Sequence, residues 1–137
     1  AAGPAAAVPA EQGQDAPAAA AAGLEGIDEE DDDWVEVDAD AAAAEDEDGK
    51  SLAGDFDGQV RCVFRKLDAT LREANASLAD IVTMTIFIID VSNNTRFVEL
   101  RKEFFEDGSY PASTMVTVAA LNRSELMVEI NAVAIMP

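Results

Sequence analysis

The chain has 137 residues, 49% of them hydrophobic, with one cysteine, no histidine and a formal charge of −19. That length supports one domain with a sizeable core, while the lone Cys62 excludes an intrachain disulfide and a multi-cysteine metal centre. Lacking histidine, the chain has no zinc–histidine site, histidine general base or Ser-His-Asp triad.

The acidity is lopsided. Residues 1–49 hold 16 acidic and no basic side chains, whereas residues 50–137 hold 12 acidic and nine basic. No basic footprint exists to neutralise phosphates, so nucleic acid is not expected as a partner. No apolar run approaches membrane-spanning length and the N-terminus lacks the basic region of a signal peptide, so a cytoplasmic location without membrane contact is expected.

Residues 1–30 read as a low-complexity segment, Ala-rich and then acidic, and residues 31–137 as the folded domain. Seven carboxylates crowd Leu24–Asp33 without the spacing or central Gly of a calcium loop, so neither a metal nor a cofactor is expected. Trp34, Val35 and Val37, alternating with Glu36 and Asp38, predict a short strand. A turn follows at Gly49.

From Gly54 the pattern is clear. Asp55 is a good N-cap, and Val60, Val63, Phe64, Leu67, Leu71 and Ala74 recur at helical spacing, which predicts a helix ending near Asn75 or Ser77. Cys62 falls inside it as a buried thiol. Eight of the nine residues from Ile81 to Ile89 are β-branched or aromatic, which predicts the central strand of the sheet. Strict alternation turns Ile81, Thr83, Thr85, Phe87 and Ile89 one way and Val82, Met84, Ile86 and Ile88 the other. Phe97, Leu100, Phe104 and Phe105 stripe a second helix, stopped by Gly108 and Pro111. Met115–Ala119 and Leu126–Ile135 complete the set as strands, with Leu126, Val128, Ile130, Ala132 and Ala134 on one face.

This order predicts an α/β (α+β) sandwich, a mixed sheet with two helices on one face, because right-handed crossovers bring both to the same side. The second face has no helix to cover it. Phe87, Ile89, Val133 and Ile135 are its candidates, and self-association is the economical way to remove them from water.

The stretch from Gly54 to Ile135 resembles the RidA family, also called YjgF/YER057c/UK114, the reactive-intermediate (enamine/imine) deaminases. The resemblance rests on Gly54-Asp-Phe-Asp-Gly-Gln59, Leu78-Ala-Asp-Ile-Val82, Phe87-Ile-Ile-Asp90, Phe104-Phe105, Tyr110-Pro-Ala-Ser-Thr114 and Val128-Glu-Ile-Asn-Ala-Val-Ala134. It implies a chorismate-mutase-like sandwich assembled as a homotrimeric barrel, with small-molecule clefts between subunits. Active members place an Arg after Pro-Ala to clamp a substrate carboxylate; Ser113 stands there. Their acidic residue near the end of the last strand corresponds to Asn131, and an Asn of their second helix to Val98. Asp38, Ala39 and Asp40 stand where members carry a Ser-Gly-Gln-like segment. A hydroxyl does not replace the planar guanidinium fork, and an amide does not take up a proton.

The resemblance makes Ser113, Thr114, Val98 and Asp38 candidate substrate-binding residues, with Asn131 and Glu129 candidate catalytic ones. For Asn131 the alternatives are a ligand or pairing with Thr117 or backbone; for Glu129 they are acid/base work or an ion pair with Arg or Lys. Tyr110 and Arg101 are expected to be structural. Two function classes stay open, with a third attached by name to relatives. They are hydrolytic deamination of a small enamine or imine with altered or lost activity, a non-catalytic trimer binding a metabolite or protein, and an endoribonuclease or translation inhibitor.

Overall fold

The computed structural model describes residues 24–25, 33–40, 45–46 and 48–137. The sequence readings for residues 1–23, 26–32, 41–44 and 47 lie outside them.

Helix α1 spans Phe56–Glu73. The Asp55 carboxylate accepts the Gly58 N–H at 3.0 Å, satisfying one of the donors that a helix start leaves free. A Cβ on Gly58 would lie 2.7 Å from Leu52 Cδ2 and 2.5 Å from Asp55 Oδ2, so any larger residue must push both side chains aside and disturb this cap. At the other end Asn75 takes φ +59°, the Ala76 N–H donates to the Leu71 carbonyl at 2.9 Å, and the Asn75 N–H donates to Arg72 at 3.1 Å. This is a Schellman closure, with Asn in the left-handed position usually given to Gly. Val60, Val63, Phe64, Leu67 and Leu71 are all fully buried, as their spacing predicts.

Strands β1 (Leu24–Glu25), β2 (Trp34–Asp40), β3 (Ile81–Ile88), β4 (Ala112–Thr117) and β5 (Val128–Ile135) form one mixed sheet of order β1-β2-β5-β3-β4. The connections β2–α1–β3 and β3–α2–β4 are crossovers between parallel strands, α2 being the short helix Asn94–Leu100 continued by a 3₁₀ turn at Arg101–Glu103. β5 then enters antiparallel between β2 and β3. The middle of the sheet is therefore β5, not the Ile81–Ile89 stretch that its composition had favoured. β-branched and aromatic composition favours a strand but does not fix its place in the sheet, and β3 lies between β5 and β4.

Two further corrections concern register. The β3–β5 pairing shifts between Ile81 and Thr83, a bulge that sends Ile81 to the buried side with Met84, Ile86 and Ile88 and leaves Val82 46% exposed. A bulge reverses strict alternation on one side of itself. β4 begins at Ala112 rather than Met115, because parallel pairing with Thr83 recruits the residues after Pro111.

The core lies between the helices and the face bearing Met84, Ile86, Ile88, Val128 and Ile130. Phe64 anchors it, stacking on Phe104 at 4.7 Å and Phe97 at 5.9 Å and meeting Phe105 edge-on at 5.7 Å. The expected roles of Tyr110 and Arg101 fit this geometry: the guanidinium lies 4.2 Å from the Tyr110 ring centroid, and that ring meets Phe105 edge-on. No helix among the described residues is long and apolar enough to cross a membrane.

Candidate functional site

Side chains on the sheet face away from the helices fall into cross-strand rows. One row runs Asp38, Asn131, Thr85, Thr114 across β2, β5, β3 and β4; the next runs Asp40, Glu129, Phe87, Val116. Adjacent strands lie about 4.8 Å apart, so Asp38 and Glu129 meet diagonally across the β2–β5 ladder. Of the predicted residues, Asp38, Asn131 and Glu129 are thus brought together, and Thr114 shares their face two strands from Asn131.

Asn131 does not pair with Thr117, which lies opposite Ile88 on the helix-facing side. Its Nδ2 instead donates to Glu36 Oε1 at 2.8 Å. Glu129 meets carboxylates rather than a cation among the described residues. Partial burial, a hydrogen bond with Asp38, and the charges of Asp38 and Asp40 together push its carboxyl up to about 7. Two carboxyl groups that close hold one proton between them near neutral pH, because ionising both adds like-charge repulsion to lost hydration.

Ser113 and Val98 stand elsewhere in the chain. Ser113 is in register with Met84, so it shares the helix-facing side, and its hydroxyl donates to the Pro111 carbonyl at 2.9 Å. Val98 is half-buried on α2. Within one chain the sheet separates both from Asn131. Beside Ser113 opens a groove of about 950 Å³, walled by Arg72, Ser77, Val82, Phe104, Tyr110 and Ala112. Among the described residues no group of three or more Asp, Glu, Cys or His side chains is arranged to hold a metal ion.

The sequence reading missed Gln59, the buried polar residue of α1, 2% exposed. Its Nε2 donates to the Leu52 carbonyl at 3.0 Å and the Glu125 carbonyl at 2.9 Å, while its Oε1 accepts the Met127 N–H at 2.8 Å. These bonds fasten the chain just before β5 and so help to set where Glu129 and Asn131 lie. The available signal was a Gln between apolar helix positions, directly after Gly58.

Three comparisons bear on this arrangement. Residues 13–136 match the family model described as Endoribonuclease L-PSP. A RutC family protein of Pyrococcus abyssi is 33% identical over 88 residues, covering 64% of this chain and 68% of that protein. TdcF of Escherichia coli K12, whose name refers to reactive intermediate deamination, is 31% identical over 86 residues, 61% of this chain and 66% of its own. Among solved structures, a Mycobacterium tuberculosis member of the YjgF/YER057c/UK114 family superposes with a TM-score of 0.67 at 28% identity, covering 83% of this chain and 85% of that one.

Proposed function

The chain belongs to the Endoribonuclease L-PSP family, the RidA/YjgF group, and on that premise we propose that it self-assembles as a trimer and hydrolyses a small enamine or imine carrying no carboxylate. The trimer turns the uncovered sheet face inward and brings Ser113 of one copy towards Asn131 and Asp38 of the next.

One observation carries the substrate class: the face holding Asp38, Asn131 and Glu129 offers carboxylates and, among the described residues, no cation. Where relatives use a guanidinium there is the Ser113 hydroxyl, already donated to Pro111. Asn131 is held by Glu36, with Asp38 opposite it and Glu129 alongside. An anionic substrate finds no counter-charge here and meets repulsion from several carboxylates, whereas a neutral imine or its protonated iminium is favoured.

The Asp38–Glu129 pair supplies the proton traffic that Asn131 cannot. Its unprotonated carboxylate takes a proton from water as the oxygen attacks the iminium carbon, giving an amino alcohol. The proton then passes to the amine nitrogen, the carboxylate takes the hydroxyl proton as the C–N bond breaks, and the departing ammonia picks that proton up, leaving ammonium and a carbonyl product. Water and iminium in, carbonyl and ammonium out, balances atoms and charge.

The test is ammonia release from freshly generated imines, neutral and carboxylate-bearing, by wild type, Glu129→Ala and Asn131→Ala. Faster turnover of the neutral substrate, with a loss of about 10²-fold or more in Glu129→Ala, is expected. Activity that persists in both variants refutes this site. No turnover of any substrate favours the second reading, a non-catalytic trimer that binds a metabolite or protein, which the uncharged Ser113 and Asn131 also suit. The ribonuclease reading, suggested by the family's name, finds no support in a chain without histidine and with a charge of −19.

A further inference from the structure

Among the described residues, the strands of the uncovered sheet face carry acid and no base on that side. β2 contributes Glu36, Asp38 and Asp40 and β5 contributes Glu129 and Asn131, while β3 adds Thr83, Thr85 and Phe87 and β4 adds Ala112, Thr114 and Val116. Lys66 of the packed helix α1 donates to the Asp40 carbonyl, at the end of β2, at 3.0 Å. Apolar residues border the acids: Trp34 is 39% exposed and Ile135 46% at one end, and Val116 37% at the other. The apolar rim gains from being covered, and the acidic middle loses.

Covering the face with a second copy strips water from several carboxylates and sets like charges against one another. Both effects penalise the ionised form, and the group best placed to stay protonated is the one already against another carboxylate. Glu129 is that group, next to Asp38 and Asp40 within one copy, and its carboxyl is still half-protonated near neutral pH before any partner arrives.

We propose that self-association through this face is proton-linked: each copy that docks keeps or takes up a proton on the Asp38–Glu129 pair, so the assembly tightens in mild acid and loosens in alkali. The inference rests on the self-association proposed above and adds a control to it. The sign follows from linkage. If the assembled state binds more protons than the free chain, rising pH favours the free chain, by about tenfold in the association constant per pH unit for each proton taken up.

The experiment is sedimentation equilibrium of the full chain from about pH 6 to pH 9, at low and high sodium chloride, with Glu129→Gln and Asp38→Asn measured alongside. Wild type is expected to dissociate more readily as pH rises, over at least a tenfold range, and added salt should tighten it at the alkaline end by screening repulsion. Glu129→Gln should stay assembled at alkaline pH with a flattened pH dependence, and Asp38→Asn should flatten it in part. A multimer of equal strength at every pH, or one that salt loosens in alkali, shows a neighbouring cation neutralising the face and overturns the proton linkage while leaving self-association intact. A chain that is monomeric at every pH and salt concentration overturns the self-association reading itself.

Discussion

Gln59→Leu tests whether the start of β5 is held from α1. Leucine has nearly the volume of glutamine, so the substitution leaves no large cavity and isolates the polar bonds. It strands the Glu125 carbonyl and the Met127 N–H, both partnered by Gln59 in the native chain, and takes one of two donors from the Leu52 carbonyl, which keeps the Asp55 N–H at 3.0 Å. A buried group left without its partner costs about 1–3 kcal/mol. Glu125 and Met127 are only half-buried and regain some hydration, and leucine returns about 1–2 kcal/mol of apolar burial. The net expectation is a loss of about 1–3 kcal/mol. Urea unfolding at one fixed protein concentration reads it as a lower midpoint with unchanged slope, and amide exchange reads it locally as lost protection at the Met127 N–H. A loss below about 0.5 kcal/mol with Met127 still protected refutes the idea that this side chain holds β5 in place.

Three other expectations follow from the same geometry. A Glu129 carboxyl raised in the folded chain means the native state keeps a proton the unfolded state releases, so its contribution to stability is present below about pH 4.5 and lost as pH rises towards about 7. Glu129→Gln should therefore stabilise the fold at pH 8 by about 1 kcal/mol, after allowance for screening of a partly exposed group, and change little at pH 4, as paired denaturation curves would show. Equal effects at both pH values refute the shared proton. Gly58→Ala should lower stability by about 1–3 kcal/mol, since its methyl must displace both the Asp55 cap and Leu52; calorimetry checks this. Ser113→Arg should shift the ratio of kcat/KM towards carboxylate-bearing imines by about tenfold or more, by restoring a planar cationic fork, and no shift argues against a ligand near Ser113.

Particular residues mark where the sequence was legible. The Asp55 cap, the α1 stripe and the buried face of β5 all follow from patterns spanning a few residues, and each was read correctly. That Ser113 and Asn131 are uncharged, where the resemblance leads one to expect an Arg and an acidic residue, was equally visible, because side-chain charge needs no coordinates. The bulge at Val82 was not visible, since nothing in Ile81-Val-Thr distinguishes a bulged from a regular pair. Gln59 was passed over because a lone Gln on a helix is ordinarily solvated, and only the approach of Leu52 and Glu125 makes it a buried link.

The sequence by itself thus determined helix α1, the buried face of β5 and the family. Periodicity and capping are local, and composition is independent of shape. Only the tertiary structure decided that β5 enters between β2 and β3, which sets Asn131 against Glu36 across 95 residues of chain and lays Glu129 beside Asp38. Register is a property of two strands at once, fixed by the packing of the whole sheet on α1 and α2. Partial burial together with that pairing raises the Glu129 carboxyl towards neutral pH.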